Sequence, residues 1–168
     1  MMTKRAESRQ SDDASSAVLT FTRNFDAPCK RVFDAWTNAE QLSNWFCPAG
    51  FTVVSCAVDF RVGGVFGVAM RSSDGRVFRW HNTYRDIVIP QRLAYASSIL
   101  DEAGRPIFDA VTSVTFRERD GGTLLIVESA VEKLHDPAAA VFADAMEPGW
   151  REGLGNLAAF LHRQSKEG

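Results

Sequence analysis

Gly64 to Val88 reads GVFGVAMRSSDGRVFRWHNTYRDIV, and this stretch decides the fold. Phe66, Val68 and Met70 fall on alternate positions, and beyond Asp74-Gly75 the alternation resumes with Phe78, Trp80 and Tyr84. A period of two puts each set on one face of a strand. Two such runs separated by a Gly-containing turn read as a β-hairpin. Arg79, His81 and Arg85 take the opposite parity. Turning the aromatic set inward leaves those cationic and polar groups in water, where they need no buried partner. A one-residue slip would exchange the faces and bring in His81, whose imidazole could then serve as an acid or base near neutral pH.

Working outward, the same alternation predicts strands over residues 52–60, 92–100, 110–118 and 122–130, besides 64–71 and 77–88. Their separators are Gly63-Gly64, Asp74-Gly75, Pro90-Gln91, Gly104 to Pro106 and Gly121-Gly122. Closely spaced strands with tight turns form an antiparallel meander. Upstream, Val18 to Phe25 reads as a further strand. Pro28 suits the first position of a helix whose apolar face carries Val32, Phe33 and Trp36. Asn38 with Gln41 three residues on resembles a capping box for a second short helix, with Leu42, Trp45 and Phe46 on its apolar side and Pro48 and Gly50 at its end. Downstream of Asp136-Pro137 the period becomes helical, with a first segment to Met146 and a restart at Pro148. The remainder runs to about Arg163, with Trp150, Leu154, Leu157, Phe160 and Leu161 on one stripe. Gly149, Gly153 and Gly155 weaken this helix by up to ~1 kcal/mol each relative to Ala. They are expected where the helix approaches the sheet closely or bends.

Helices at both ends of an antiparallel sheet make an α+β fold. The terminal helix is the element long enough to cover one face of the sheet, and a curved sheet wrapped on it encloses either a filled core or a hollow.

Composition bounds the function classes. The chain has 168 residues, a net charge of −2 and 45% hydrophobic residues. That fits one domain, expected over 18–165, large enough for a core without disulfides or a structural metal. Its 12 Phe and 4 Trp against 2 Tyr make the aromatic content strongly apolar. No run approaches a membrane span, and the balanced charge with no basic block speaks against a nucleic-acid surface. Residues 1–17 mix charged residues with Ser and Gln around no apolar segment, and read as a disordered leader rather than a signal peptide. Cys29, Cys47 and Cys56 are odd in number and form no CxxC pair, as expected of free thiols in a reducing cytoplasm.

Several pieces together resemble the START-like, or SRPBCC, superfamily of helix-grip proteins. They look most like the branch named after the activator of Hsp90 ATPase homologue. The pieces are Phe25-Asp26-Ala27-Pro28, Val32 to Thr37, Leu42-x-x-Trp45-Phe46-x-Pro48, and Asp59-x-Arg61-x-Gly63-Gly64-x-Phe66. They continue with Tyr84-x-x-Ile87, Pro90-x-Arg92-Leu93, Val114-Thr115-Phe116, and Gly149-Trp150-x-x-x-Leu154-x-x-Leu157. Asn82 departs from the branch, which usually has Gly there, and Asp86 stands where Glu is common. The resemblance implies the helix-grip (START/Bet v 1-like) fold: a curved antiparallel sheet around a long C-terminal helix, with two short helices after strand 1. The Hsp90 activator proper has a further amino-terminal domain, which the 17 residues before the first strand are not expected to supply. Members of the superfamily range from lipid carriers to cyclases and chaperone regulators, so the function must be argued from the site.

On this fold the inward aromatic residues become candidate walls of a cavity for a small apolar or amphipathic molecule. Those expected to line it are Trp45, Phe46, Phe66, Val68 and Met70, then Phe78, Trp80, Tyr95 and Phe116, with Trp150 and Leu154 from the helix. Asn82, Tyr84 and Tyr95 are the polar groups that could orient a guest. The alternatives are a cyclase- or hydrolase-type enzyme, for which His81 and Asp109 are the candidate ionisable groups, or an interaction module for an Hsp90-type chaperone or another regulatory partner. The chain could be a monomer or a homodimer. No G-x-G-x-x-G, G-x-x-x-x-G-K, H-E-x-x-H or clustered Cys/His set occurs, and no cofactor or metal is expected.

Overall fold

The computed structural model describes residues 18–167; the leader expected over 1–17 lies outside them. Strand β1 (Val18–Phe25) is followed by helices α1 (Cys29–Thr37) and α2 (Ala39–Leu42). Six strands then follow: β2 (Phe51–Val58), β3 (Val65–Ser72), β4 (Val77–Val88), β5 (Arg92–Leu100), β6 (Pro106–Arg119) and β7 (Gly122–Leu134). A 3-10 turn over Pro137–Ala139, a short helix α3 (Ala140–Asp144) and the long helix α4 (Met146–Glu167) follow, up to the last described residue. The seven strands form one curled antiparallel sheet in the order β1-β7-β6-β5-β4-β3-β2. The two short helices carry the chain from one edge strand to the other, and α4 lies in the curl. This is the expected α+β helix-grip architecture.

Local chemistry accounts for the elements. Asn38 ends α1 and caps α2, its Oδ1 accepting from the Gln41 backbone N–H at 3.0 Å. Only half of the capping box forms, because the Asn38 N–H donates to the Asp34 carbonyl instead. At the β2–β3 turn, Asp59 and Arg61 pair at 3.0 Å. A Cβ on Gly64 would lie 2.2 Å from the Asp59 carbonyl oxygen, so only Gly fits that close approach.

Strands β6 and β7 are longer than the alternation predicts, extending to Pro106 and Leu134. There Phe108 pairs opposite Leu134, and Phe78, Ile99, Ile107 and Val131 form a second apolar cluster that covers the extension. Pro148 sits within the first turn of α4 rather than starting the helix. A proline so near a helix start removes an N–H that has no intrahelical partner.

The principal core lies between α1, α4 and the sheet. The Trp36 and Trp45 rings meet at 4.8 Å and Phe33 meets Phe116 at 5.1 Å, both edge to face. The indole N–H of Trp45 donates to the Ala35 carbonyl at 2.9 Å, fastening the loop after α2 onto α1. Leu154, Leu157 and Leu161 of α4 are buried against this assembly. Arg31 of α1 donates to the Leu161 carbonyl at 3.1 Å and to Gln164 at 3.0 Å, holding the C-terminal half of α4 in place.

Candidate functional site

Beneath the N-terminal half of α4 the packing opens into a hollow of about 170 Å³. Its sheet wall is built from inward positions of β3 to β7: Met70; Trp80 and Asn82; Tyr95, Ser97 and Ile99; Phe108, Ala110 and Thr112; and Ser129. Its opposite wall comes from Trp45, Phe46, Pro48 and Phe51, from Phe142 and Ala145, and from Met146, Gly149, Trp150 and Gly153 of α4.

Two features of this wall are set by single residues. Gly149 and Gly153 stand four apart and therefore on one helix face, and a Cβ added at either would meet no atom within 4 Å. They are thus not sites of close helix–sheet approach; they leave the helix bare where it faces the hollow. The second feature is a polar band across the middle of the sheet. Asn82 and Ser97 are opposite one another on β4 and β5, and Tyr95, Thr112 and Ser129 run across the next inward row of β5, β6 and β7. All five are buried.

Hydrogen bonding within the band is incomplete. The Asn82 side-chain NH2 donates to the Phe66 carbonyl at 3.1 Å, while its Oδ1, on a residue 0% exposed, has no partner. Thr112 and Ser129 bond each other at 2.9 Å, and the Tyr95 hydroxyl opposite Thr112 makes no hydrogen bond of its own. Burial pushes the Tyr84 and Tyr95 hydroxyls well above the ordinary tyrosine range, so both remain neutral and able to donate. Among the described residues, no Asp, Glu, Lys, Arg or His lines the hollow.

Of the residues expected to form a cavity wall, Trp45, Phe46, Met70, Trp80, Asn82, Tyr95 and Trp150 do line the hollow. Phe66, Val68, Tyr84, Phe116 and Leu154 instead pack within the principal core, and Phe78 within the second cluster. His81 is exposed and lies on the outer face between inward Trp80 and Asn82. Asp109 also has outward parity, between Phe108 and Ala110, and its carboxylate meets the His135 ring nitrogen at 3.0 Å near the sheet surface. Neither ionisable candidate reaches the hollow. The alternation by itself singles out neither Ser97, Thr112 and Ser129 nor the glycines. The available signal is a small polar residue interrupting an apolar inward row on three adjacent strands, and an i, i+4 glycine pair on a helix.

The three cysteines are free and partly buried. Burial pushes the Cys47 thiol up to about 11, which keeps it protonated and a poor nucleophile. Among the described residues no group of three His, Cys, Asp or Glu is placed to hold a metal ion, and no helix is long and apolar enough to cross a membrane.

Comparison with known proteins places this architecture. A structure from Rhizobium leguminosarum is 30% identical, with a TM-score of 0.71 over 88% of this chain and 95% of that one. One from Arthrobacter aurescens is 25% identical, with a TM-score of 0.76 over 90% and 89% of the two chains. An AHSA1-like protein from Aeromonas hydrophila, 21% identical, shares the fold with a TM-score of 0.68 over 89% and 94%. Among curated proteins none matches the chain. The profile of the Activator of Hsp90 ATPase homolog 1-like proteins matches residues 26–162, nearly the whole described domain. By that match the chain belongs to the Activator of Hsp90 ATPase homolog 1-like family.

Proposed function

We propose that the protein is a cytoplasmic binder of a small apolar or amphipathic molecule, held in the hollow between the sheet and the N-terminal half of α4. The observation that carries this reading is the pair Gly149 and Gly153, whose missing side chains leave open space where the rest of the helix face is packed. Each glycine costs about 1 kcal/mol of helix stability relative to Ala, and neither returns that cost through closer packing. The volume narrows the guest. At about 170 Å³ the hollow is smaller than the roughly 300–1,000 Å³ of drug-sized pockets. It is comparable to apolar cavities of about 150 Å³ that hold a single benzene ring.

The cyclase or hydrolase alternative has, among the described residues, no carboxylate, imidazole, amine or guanidinium at the hollow, and the Tyr95 hydroxyl there is held neutral by burial. The chaperone alternative has, among the described residues, the exposed apolar side chains of Phe60 and Val62 in the β2–β3 turn and of Val88 and Ile89 at the end of β4 to draw on. Free thiols at all three cysteines accord with a reducing compartment.

Native mass spectrometry of protein purified from its own host tests the proposal. A co-purifying small molecule is expected on the wild type and not on Gly153→Leu, whose side chain would occupy the hollow. An adduct retained by a folded Gly153→Leu would overturn it.

A further inference from the structure

The chemistry of the wall says more about the guest than its size does. The Asn82 amide is held in one orientation by its NH2 bond to the Phe66 carbonyl, so its Oδ1 is the free end, an acceptor with no donor. A buried acceptor left unpaired is costly, and the Tyr95 hydroxyl, on the neighbouring strand, has no partner either. Beside them stand the small hydroxyl side chains of Ser97, Thr112 and Ser129, the rest of the wall is aromatic and aliphatic, and among the described residues no charged side chain lines it to balance an ion. An anion or cation entering it would lose its hydration without gaining a counter-charge. We propose that the hollow selects an uncharged, single-ring molecule whose hydroxyl or N–H donates to Asn82 Oδ1, with the ring against the bare backbone at Gly149 and Gly153. The proposal rests on the reading of the hollow as a guest site and adds the guest's charge and functional group. A phenolic hydroxyl donates to Asn82 and keeps lone pairs for the unpaired Tyr95 hydroxyl on the same wall.

The competing occupant of the polar band is ordered water, which commonly bridges buried polar groups. The two cases differ in sign. Phenol is better hydrated than toluene, so a hollow whose polar atoms are already satisfied by water favours toluene. One whose acceptor is met by the guest favours phenol.

Calorimetric titration of the full chain at pH 7 with phenol, toluene and benzoate tests this, with thermal unfolding run alongside to confirm that variants fold. Phenol is expected to bind about tenfold more tightly than toluene, and benzoate, charged at that pH, not measurably. In Asn82→Leu the order should reverse in favour of toluene, and Tyr95→Phe should weaken phenol while sparing toluene. Should Asn82→Leu fail to fold, the wild-type series and Tyr95→Phe still decide. Toluene binding as tightly as phenol to the wild type would overturn the donor requirement while leaving the hollow a guest site. Benzoate matching phenol would overturn the claim of an uncharged guest. No binding of any of the three would overturn both this proposal and the reading beneath it.

Discussion

Leu157 and Leu161 fill the space under the C-terminal half of α4, whereas Gly149 and Gly153 leave it open under the N-terminal half. One helix over one curled sheet thus makes a solid core at one end and a hollow at the other. The anchoring differs in the same sense. Arg31 holds the C-terminal half by the Leu161 carbonyl and Gln164. Asn156 donates to the Cys47 carbonyl at 3.1 Å, and Glu152 accepts from the Ala49 backbone N–H at 3.2 Å. Among the described residues, no side-chain hydrogen bond ties residues 146–150 to another element; Glu147 bonds only Arg151 of the same helix. The difference teaches that a helix-grip fold does not itself specify a cavity. A few residues on the gripped helix decide whether the grip closes on protein or on space.

The comparison can be broken most directly by truncating the solid end. Leu157→Ala, at a site 0% exposed, should cost about 2–5 kcal/mol, read by chemical denaturation. Met70→Ala, on the wall of the hollow, should fall near the lower bound of that range, about 2 kcal/mol, because its side chain already faces open volume. Equal losses at the two sites would mean that the two ends are packed alike.

The glycines sharpen the comparison in the opposite direction. Gly153→Ala should stabilise the protein by up to ~1 kcal/mol through helix propensity while weakening any guest in the hollow. Gly155→Ala, on the same helix but away from the hollow, should give a similar gain with guest affinity unchanged. A loss of stability at Gly153→Ala would show that the helix face is closer to the sheet than the open space there implies.

The fold was legible because its signal is redundant. The parity of Phe66, Val68 and Met70, and of Phe78, Trp80 and Tyr84, turns β3 and β4 the same way, and a slip at either would clash with its neighbours. The site was less legible because it is made by omission. Burial favours large apolar residues at inward positions, so alternation points equally to Phe116, which packs on Phe33, and to Trp80, which faces the hollow. Nothing local tells a ring that meets another ring from one that meets space. Gly149 and Gly153 read as weak points of a helix until the opposing wall is known, and the role of Asn82 depends on which of its two polar atoms the Phe66 carbonyl occupies.

The smallest effect concerns the loop that closes the hollow. With its thiol raised to about 11 from an ordinary 9 by burial, Cys47 should react slowly with iodoacetamide at pH 8, its alkylation still accelerating above pH 10. The sign follows for stability: the folded state holds this proton more tightly, so its contribution is complete below about pH 9 and is lost as the pH rises towards 11. Fast alkylation at neutral pH would show the 46–51 loop to be open rather than packed.

The central claim, that the hollow under Gly149 and Gly153 receives a small molecule, is tested most directly by methyl NMR. Met70 and Met146 both line the hollow, while Leu157 lies buried outside it. On titration with phenol, the Met70 and Met146 methyl signals should shift saturably under the ring current of the guest, and the Leu157 methyls should stay near their starting positions. If the Met70 and Met146 signals do not move, or move only as far as those of Leu157, the hollow is not a binding site.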